Sequence, residues 1–142
     1  MTRGKESPSY ESVLGTIGFE SGRHYWEIKI DEYGNEADIF VGVAKRDTDL
    51  NKLNSTRTPH EQAFGWIATG NMLHIGGKVQ RILFGGYSKI GAVVGILLEF
   101  VNGEGQLTFY RDGENLGCPI KNIPAGCYYP CLSLFDSSYY NV

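Results

Sequence analysis

The 142-residue chain lacks most of the features that announce chemistry. It has little excess charge of either sign. Thirteen Lys and Arg against sixteen Asp and Glu leave −3 at pH 7, too mild a field to draw in nucleic acid or an anionic bilayer. No apolar run approaches the ~20 residues of a membrane-spanning helix. The opening "MTRGKESPSYES" is polar, without the apolar core of a secretory signal. Three cysteines, Cys118, Cys127 and Cys131, make an odd count that argues against a disulfide framework. They read as reduced, buried, small hydrophobes in a cytoplasmic (intracellular) protein. The sequon Asn54-Ser55-Thr56 would matter only in a secreted chain.

Ligand sets are missing as well. "DTDLN" offers oxygen ligands at Asp47, Asp49 and Asn51, but Lys52 and Thr58 stand where a calcium loop needs glycine and glutamate. "GNMLHIGGK" has the glycines of a phosphate loop without its spacing, and Val79 replaces the required hydroxyl. His24, His60 and His74 lie far apart, with no zinc-ligand spacing among themselves or to the cysteines. No metal and no cofactor are therefore expected. Glu27, Glu99 and Glu104 are candidates for a glycosidase pair on a sandwich, yet single carboxylates on outer strand faces are ordinary. No paired catalytic motif emerges, and the chain is expected not to be an enzyme.

What is present is β structure. Nineteen glycines, nine tyrosines and seven phenylalanines punctuate short apolar runs separated by turn dipeptides. "HYWEIKID" alternates, with Trp26, Ile28 and Ile30 on one side. "ADIFVGVAK" is apolar on both faces, as a central strand would be. "AFGWIAT", "NMLHIGG", "VVGILLEFV" and "CYYPCLSLF" supply further strands. In "GQLTFYRDGENLGCP", Asp112-Gly113 is the dipeptide of a two-residue hairpin turn. That turn would set Arg111 opposite Glu114, Tyr110 opposite Asn115, Phe109 opposite Leu116 and Leu107 opposite Cys118. A two- or four-residue loop at "NGEG" keeps Ile96, Leu98 and Phe100 on the face of Leu107 and Phe109. The total is about eight to ten strands with no βαβ alternation, an antiparallel sandwich of two sheets. Residues 46–62 form the longest candidate loop, and loops of that length are usually functional or mobile. Trp66 sits on the strand after it and has two readings: a packed core residue, or a binding anchor at the sandwich end.

"SGRHYWEIKID", "FVGVAKRD", "FGWIATGN", "VVGILLEFVNGEGQLTFYRDGENLG" and "YYPCLSLF" stand in the order and spacing of a SPRY domain. The chain resembles in particular the PRY-SPRY domains that end many tripartite-motif ubiquitin ligases. The match runs from Val13 to Phe135, with residues 1–12 a polar extension or an abbreviated PRY segment and residues 13–142 the SPRY domain. The resemblance implies a bent, all-β antiparallel sandwich of the concanavalin-like jelly-roll kind. It also implies a non-catalytic module that recognises a protein or peptide partner through loops at one end, with no nucleic acid, membrane or metal involved. Partner or substrate recruitment for a ubiquitin ligase would follow, any transfer chemistry residing in a separate RING domain. Carried over by motif, the partner-binding residues are Arg46 and Asp47 after "VGVAKR", Trp66 on the next strand, Tyr87 in "FGGYSKIG", Phe135 and Asp136; Asn71, at the end of "FGWIATGN", joins the partner-binding set as a loop residue. Ala68 departs from a second aromatic found there in some members. The competing readings are a lectin-like sandwich using Trp66, Asn71 and Asp47, and a SPRY module of an ion channel, helicase or chromatin complex.

Overall fold

A computed structural model describes residues 10–30, 37–47, 62–67, 72–81 and 91–136. The strands, in chain order, are β1 (Tyr10–Leu14), β2 (Arg23–Lys29), β3 (Ala37–Ala44), β4 (Ala63–Ile67), β5 (Met72–Ile75), β6 (Lys78–Arg81), β7 (Val93–Val101), β8 (Glu104–Arg111), β9 (Glu114–Asn115), β10 (Ile120–Ile123) and β11 (Tyr129–Asp136). All pair antiparallel and build two sheets. One is six-stranded, ordered β1-β11-β3-β4-β5-β6; the other runs β10-β8-β7-β2, with β9 beside β8. The described residues hold no helix long and apolar enough to cross a membrane.

Period-two alternation explains why these layers stack. In β7 and β8 the register sets Ile96 opposite Phe109, Leu98 opposite Leu107 and Phe100 opposite Gly105, so one face is continuously apolar. Asn102-Gly103 makes the connection a two-residue turn, both residues at positive φ. The six-stranded sheet answers with Val41, Val43, Phe64, Trp66 and Leu73, and the two faces share one core. Trp66 reaches across to Phe109, ring centroids 5.4 Å apart. β3 and β4 are buried on their second face too, where Phe40, Ala44, Ala63 and Ile67 cluster. That is the double-sided burial expected for "ADIFVGVAK". Gly42 and Gly65 face each other on that side, and a Cβ on Gly65 would lie 2.6 Å from the Phe40 ring. Only glycine lets that ring lie over the strand.

The hairpin at Asp112-Gly113 forms with both residues at positive φ, and Tyr110 pairs Asn115 while Arg111 pairs Glu114. Beyond that the expected register slips. The Phe109 carbonyl accepts from the Leu116 amide while its own amide donates to the Gly117 carbonyl, and Gly117 lies at φ 102. Extra chain accumulates there, so Leu107 faces Ile120 rather than Cys118. The Asn115 side chain accepts from the Gly117 amide at 2.8 Å and holds the irregularity in place.

Candidate functional site

The register of β3 against β11 decides which candidate residues can act together. Ala44 pairs Tyr129 at one end of the ladder, and Ala37 pairs Asp136 at the other. Arg46 and Asp47 follow β3 at the first end, both exposed. Phe135 and Asp136 close β11 at the opposite end, seven residues further along, or roughly 24 Å. One patch cannot contain both pairs. Asn71 and Tyr87 lie outside the described residues. The strands that lead toward them, β4 ending at Ile67 and β6 ending at Arg81, finish toward the Asp136 end.

Trp66 belongs to neither end. It is 0% exposed, inside the core between Val41 and Leu73 of the neighbouring strands. Of its two sequence readings, the packed-core one describes it, and the exposed-anchor reading is corrected. Burial on a central strand leaves no ring surface for a partner, nor a platform on which a sugar could stack.

At the Arg46 end the structure adds residues that the sequence did not single out. The Arg46 guanidinium lies over the Tyr129 ring, 5.2 Å from its centroid, and the Lys45 ammonium over Tyr128 at 5.8 Å. Two consecutive cations thus meet two consecutive aromatics across the β3–β11 ladder, one pair on each face. Tyr128 is buried, its hydroxyl donates to the Pro124 carbonyl at 2.8 Å, and burial pushes its pKa above the usual tyrosine value. Reciprocal backbone bonds tie it to Phe19, which stacks on the His24 ring at 3.7 Å. Tyr129 therefore stands on a braced corner, and stacking on its ring orients the exposed guanidinium. The signal was present as "KR" and "YY". What the sequence could not show is that these dipeptides are neighbours.

Glu27 and Glu99, two of the carboxylates weighed for hydrolysis, do not converge. Glu27 accepts from the Tyr25 hydroxyl at 2.8 Å, and Glu99 pairs with Arg23 at 2.9 Å. Glu27 lies opposite Gly95 while Glu99 lies opposite Arg23. That separation, four residues along one face or roughly 14 Å, exceeds either glycosidase spacing. Among the described residues no three His, Cys, Asp or Glu side chains gather closely enough to hold a metal.

The SPRY domain description matches residues 23–141, most of the chain. The chain belongs to the SPRY domain family. This SPRY domain is 28% identical over 134 residues to the Drosophila melanogaster protein named E3 ubiquitin-protein ligase TRIM9, covering 91% of this chain and 17% of that one. It is 27% identical over 130 residues to the F-box/SPRY domain-containing protein 1 of Danio rerio, covering 88% of this chain and 44% of the relative. It thus spans less than half the length of either. Among solved structures, the SPRY domain of human HERC1 superposes with a TM-score of 0.74 at 17% identity, over 91% of this chain and 77% of that one. The TRIM65 PSpry domain gives 0.57 at 19% identity, over 88% and 68%. The likeness to these structures is one of fold: two antiparallel sheets packed as a sandwich. As a SPRY domain, the chain is a protein-interaction module.

Proposed function

We propose that this SPRY domain recruits a protein partner to a ubiquitin ligase in the cell interior, without catalysing a reaction itself. The partner docks at the sandwich end where β3 gives way to Arg46 and Asp47. The observation that carries this reading is the exposed Arg46 guanidinium braced on Tyr129. A positioned guanidinium selects a carboxylate on the partner in bidentate geometry, and Asp47 beside it sets the spacing of opposite charge. The ligase context rests on the names of the two relatives, one a ubiquitin-protein ligase and the other an F-box protein. Phe135 and Asp136 belong in this reading to a second, distal rim.

The test is affinity capture from cell extract with the wild-type domain, Arg46→Glu and Tyr129→Ala, quantified by mass spectrometry. Arg46→Glu should remove the specific partners by at least ~tenfold, since a buried charge-assisted contact is replaced by repulsion. Tyr129→Ala should weaken the same set less. Unchanged capture by a folded Arg46→Glu domain would remove this end as the docking site.

A further inference from the structure

Among the described residues, the sandwich is open along one side. β2 is the last strand of its sheet, and among the described residues no strand lies beyond it. Its ladder to β7 shows which backbone groups are left over. The Gly22 carbonyl accepts from Phe100 and the Ile30 amide donates to Ala92, so the even-numbered residues bond toward β7. In an antiparallel ladder the alternate residues then turn their amides and carbonyls away. Arg23, Tyr25 and Glu27 aim theirs off the edge, where no described residue meets them.

The side chains tell the same story independently. The inward-facing Val94, Ile96 and Leu98 of β7 and Leu107 and Phe109 of β8 are buried, but those of β2, His24, Trp26 and Ile28, are only half-buried. Beneath them opens a cleft of about 230 Å³ between β2 and the edge of the other sheet. Trp26 and Ile28 form one wall; Leu14, Gly15, Pro130 and Leu132 form the other. The walls are almost wholly apolar, and the solvent-shielded indole N–H of Trp26 has no acceptor among the described residues. An edge with open backbone groups and an apolar cleft under the same strand are the two halves of a strand-addition site. Main-chain bonds hold the incoming strand, and its alternate side chains fill the pocket.

We infer that the open edge of β2, with the cleft beneath it, takes an extended segment of a partner protein as an added strand, apolar at the two alternate positions opposite Trp26 and Ile28 and acidic at the position opposite Arg23, three residues from the nearer apolar one. The apolar positions are those that point into the cleft. The acidic one is set by Arg23, whose side chain is 72% exposed on the other face despite its bond to Glu99. A second copy of this chain fits less well. Two β2 strands paired about Trp26 would set Arg23 against Lys29, like charge opposite like. This surface is separate from the Arg46 end and stands or falls independently of it.

The test selects the domain against a displayed random-peptide library and follows the most enriched peptide by amide NMR. Enriched sequences should share apolar residues two apart with Asp or Glu three residues beyond one of them. Titration should shift the Arg23, Tyr25 and Glu27 amides and the Trp26 indole N–H. Glu27→Pro removes one outward amide without touching the bonds to β7, and should weaken binding at least ~tenfold at unchanged thermal midpoint. If Glu27→Pro unfolds the domain, Leu14→Lys, which charges the cleft wall, must produce the same loss. Arg46→Glu should leave this affinity intact. The inference is overturned by enrichment without the alternating pattern, by shifts confined to other residues, or by full affinity in a folded edge or cleft variant. It is also overturned if the edge amides shift with protein concentration alone, which would give the edge to a second copy.

Discussion

The two tryptophans both point into the space between the sheets and meet different fates. Trp66 lies in β4, flanked by β3 and β5 and faced by the opposite sheet, and no part of it is exposed. Trp26 lies in β2, flanked among the described residues by β7 alone, and it is half-buried at the rim of an apolar cleft. Residue type and inward orientation are shared, so neither sets the difference. The number of flanking strands does. A central strand has water removed from both flanks, whereas an edge strand keeps one open flank and, with it, unpaired backbone groups. The depth of burial is therefore assigned by position in the sheet order.

Replacing both tryptophans by alanine sharpens that comparison most. Trp66→Ala should cost about 3–5 kcal/mol of stability in denaturant unfolding, the range for a large core side chain whose cavity cannot collapse. Trp26→Ala should cost about 1–2 kcal/mol, since less apolar area leaves the interior. Equal losses would mean that the edge is as closed as the centre. The cysteines give the same contrast through pH. Cys131 is buried on β11, and burial pushes its thiol from 9.0 to about 12, while Cys118 and Cys127 are half-buried. The fold favours the neutral thiol, so this contribution is fully present below pH 9 and is lost as pH rises toward 12. Stability should fall by about 1 kcal/mol per pH unit in that window, and Cys131→Ala should flatten the decline. Tyr25, also raised to about 12 by burial and then by its bond to Glu27, adds a loss that begins only near pH 10. A pH profile identical in Cys131→Ala and wild type would sink the assignment. The smallest effect belongs to Trp26→Phe. Removing a shielded N–H that has no described acceptor should change stability by no more than about 0.5 kcal/mol, because little hydrogen-bond energy is lost.

Much of the fold was legible before any coordinates. The faces of β7 and β8, the two-residue turns at Asn102-Gly103 and Asp112-Gly113, and the double-sided burial of β3 are all short-range consequences of side-chain period and turn chemistry. Where the expectation failed, a non-local or irregular term intervened. Leu107 missed Cys118 because Gly117 at positive φ absorbs extra chain, and alternation carries no count of bulges. β1, β6 and β10 are short or exposed edge strands whose sequences alternate weakly, and they went unanticipated. The candidate site was legible in one residue pair and not in its company. Arg46 was named from its motif, whereas Tyr129, the ring that orients it, depends on a ladder between strands far apart in the chain.

By itself the sequence determined that this chain forms twisted strands with one apolar face, joined by tight turns, because φ/ψ preference and period-two alternation act over a few residues at a time. Only the tertiary structure decided which strand lies at an edge, which tryptophan is sealed, and which loops share an end of the sandwich. Those outcomes follow from the order and register in which distant strands pair, and a locally alternating pattern is compatible with many such orders.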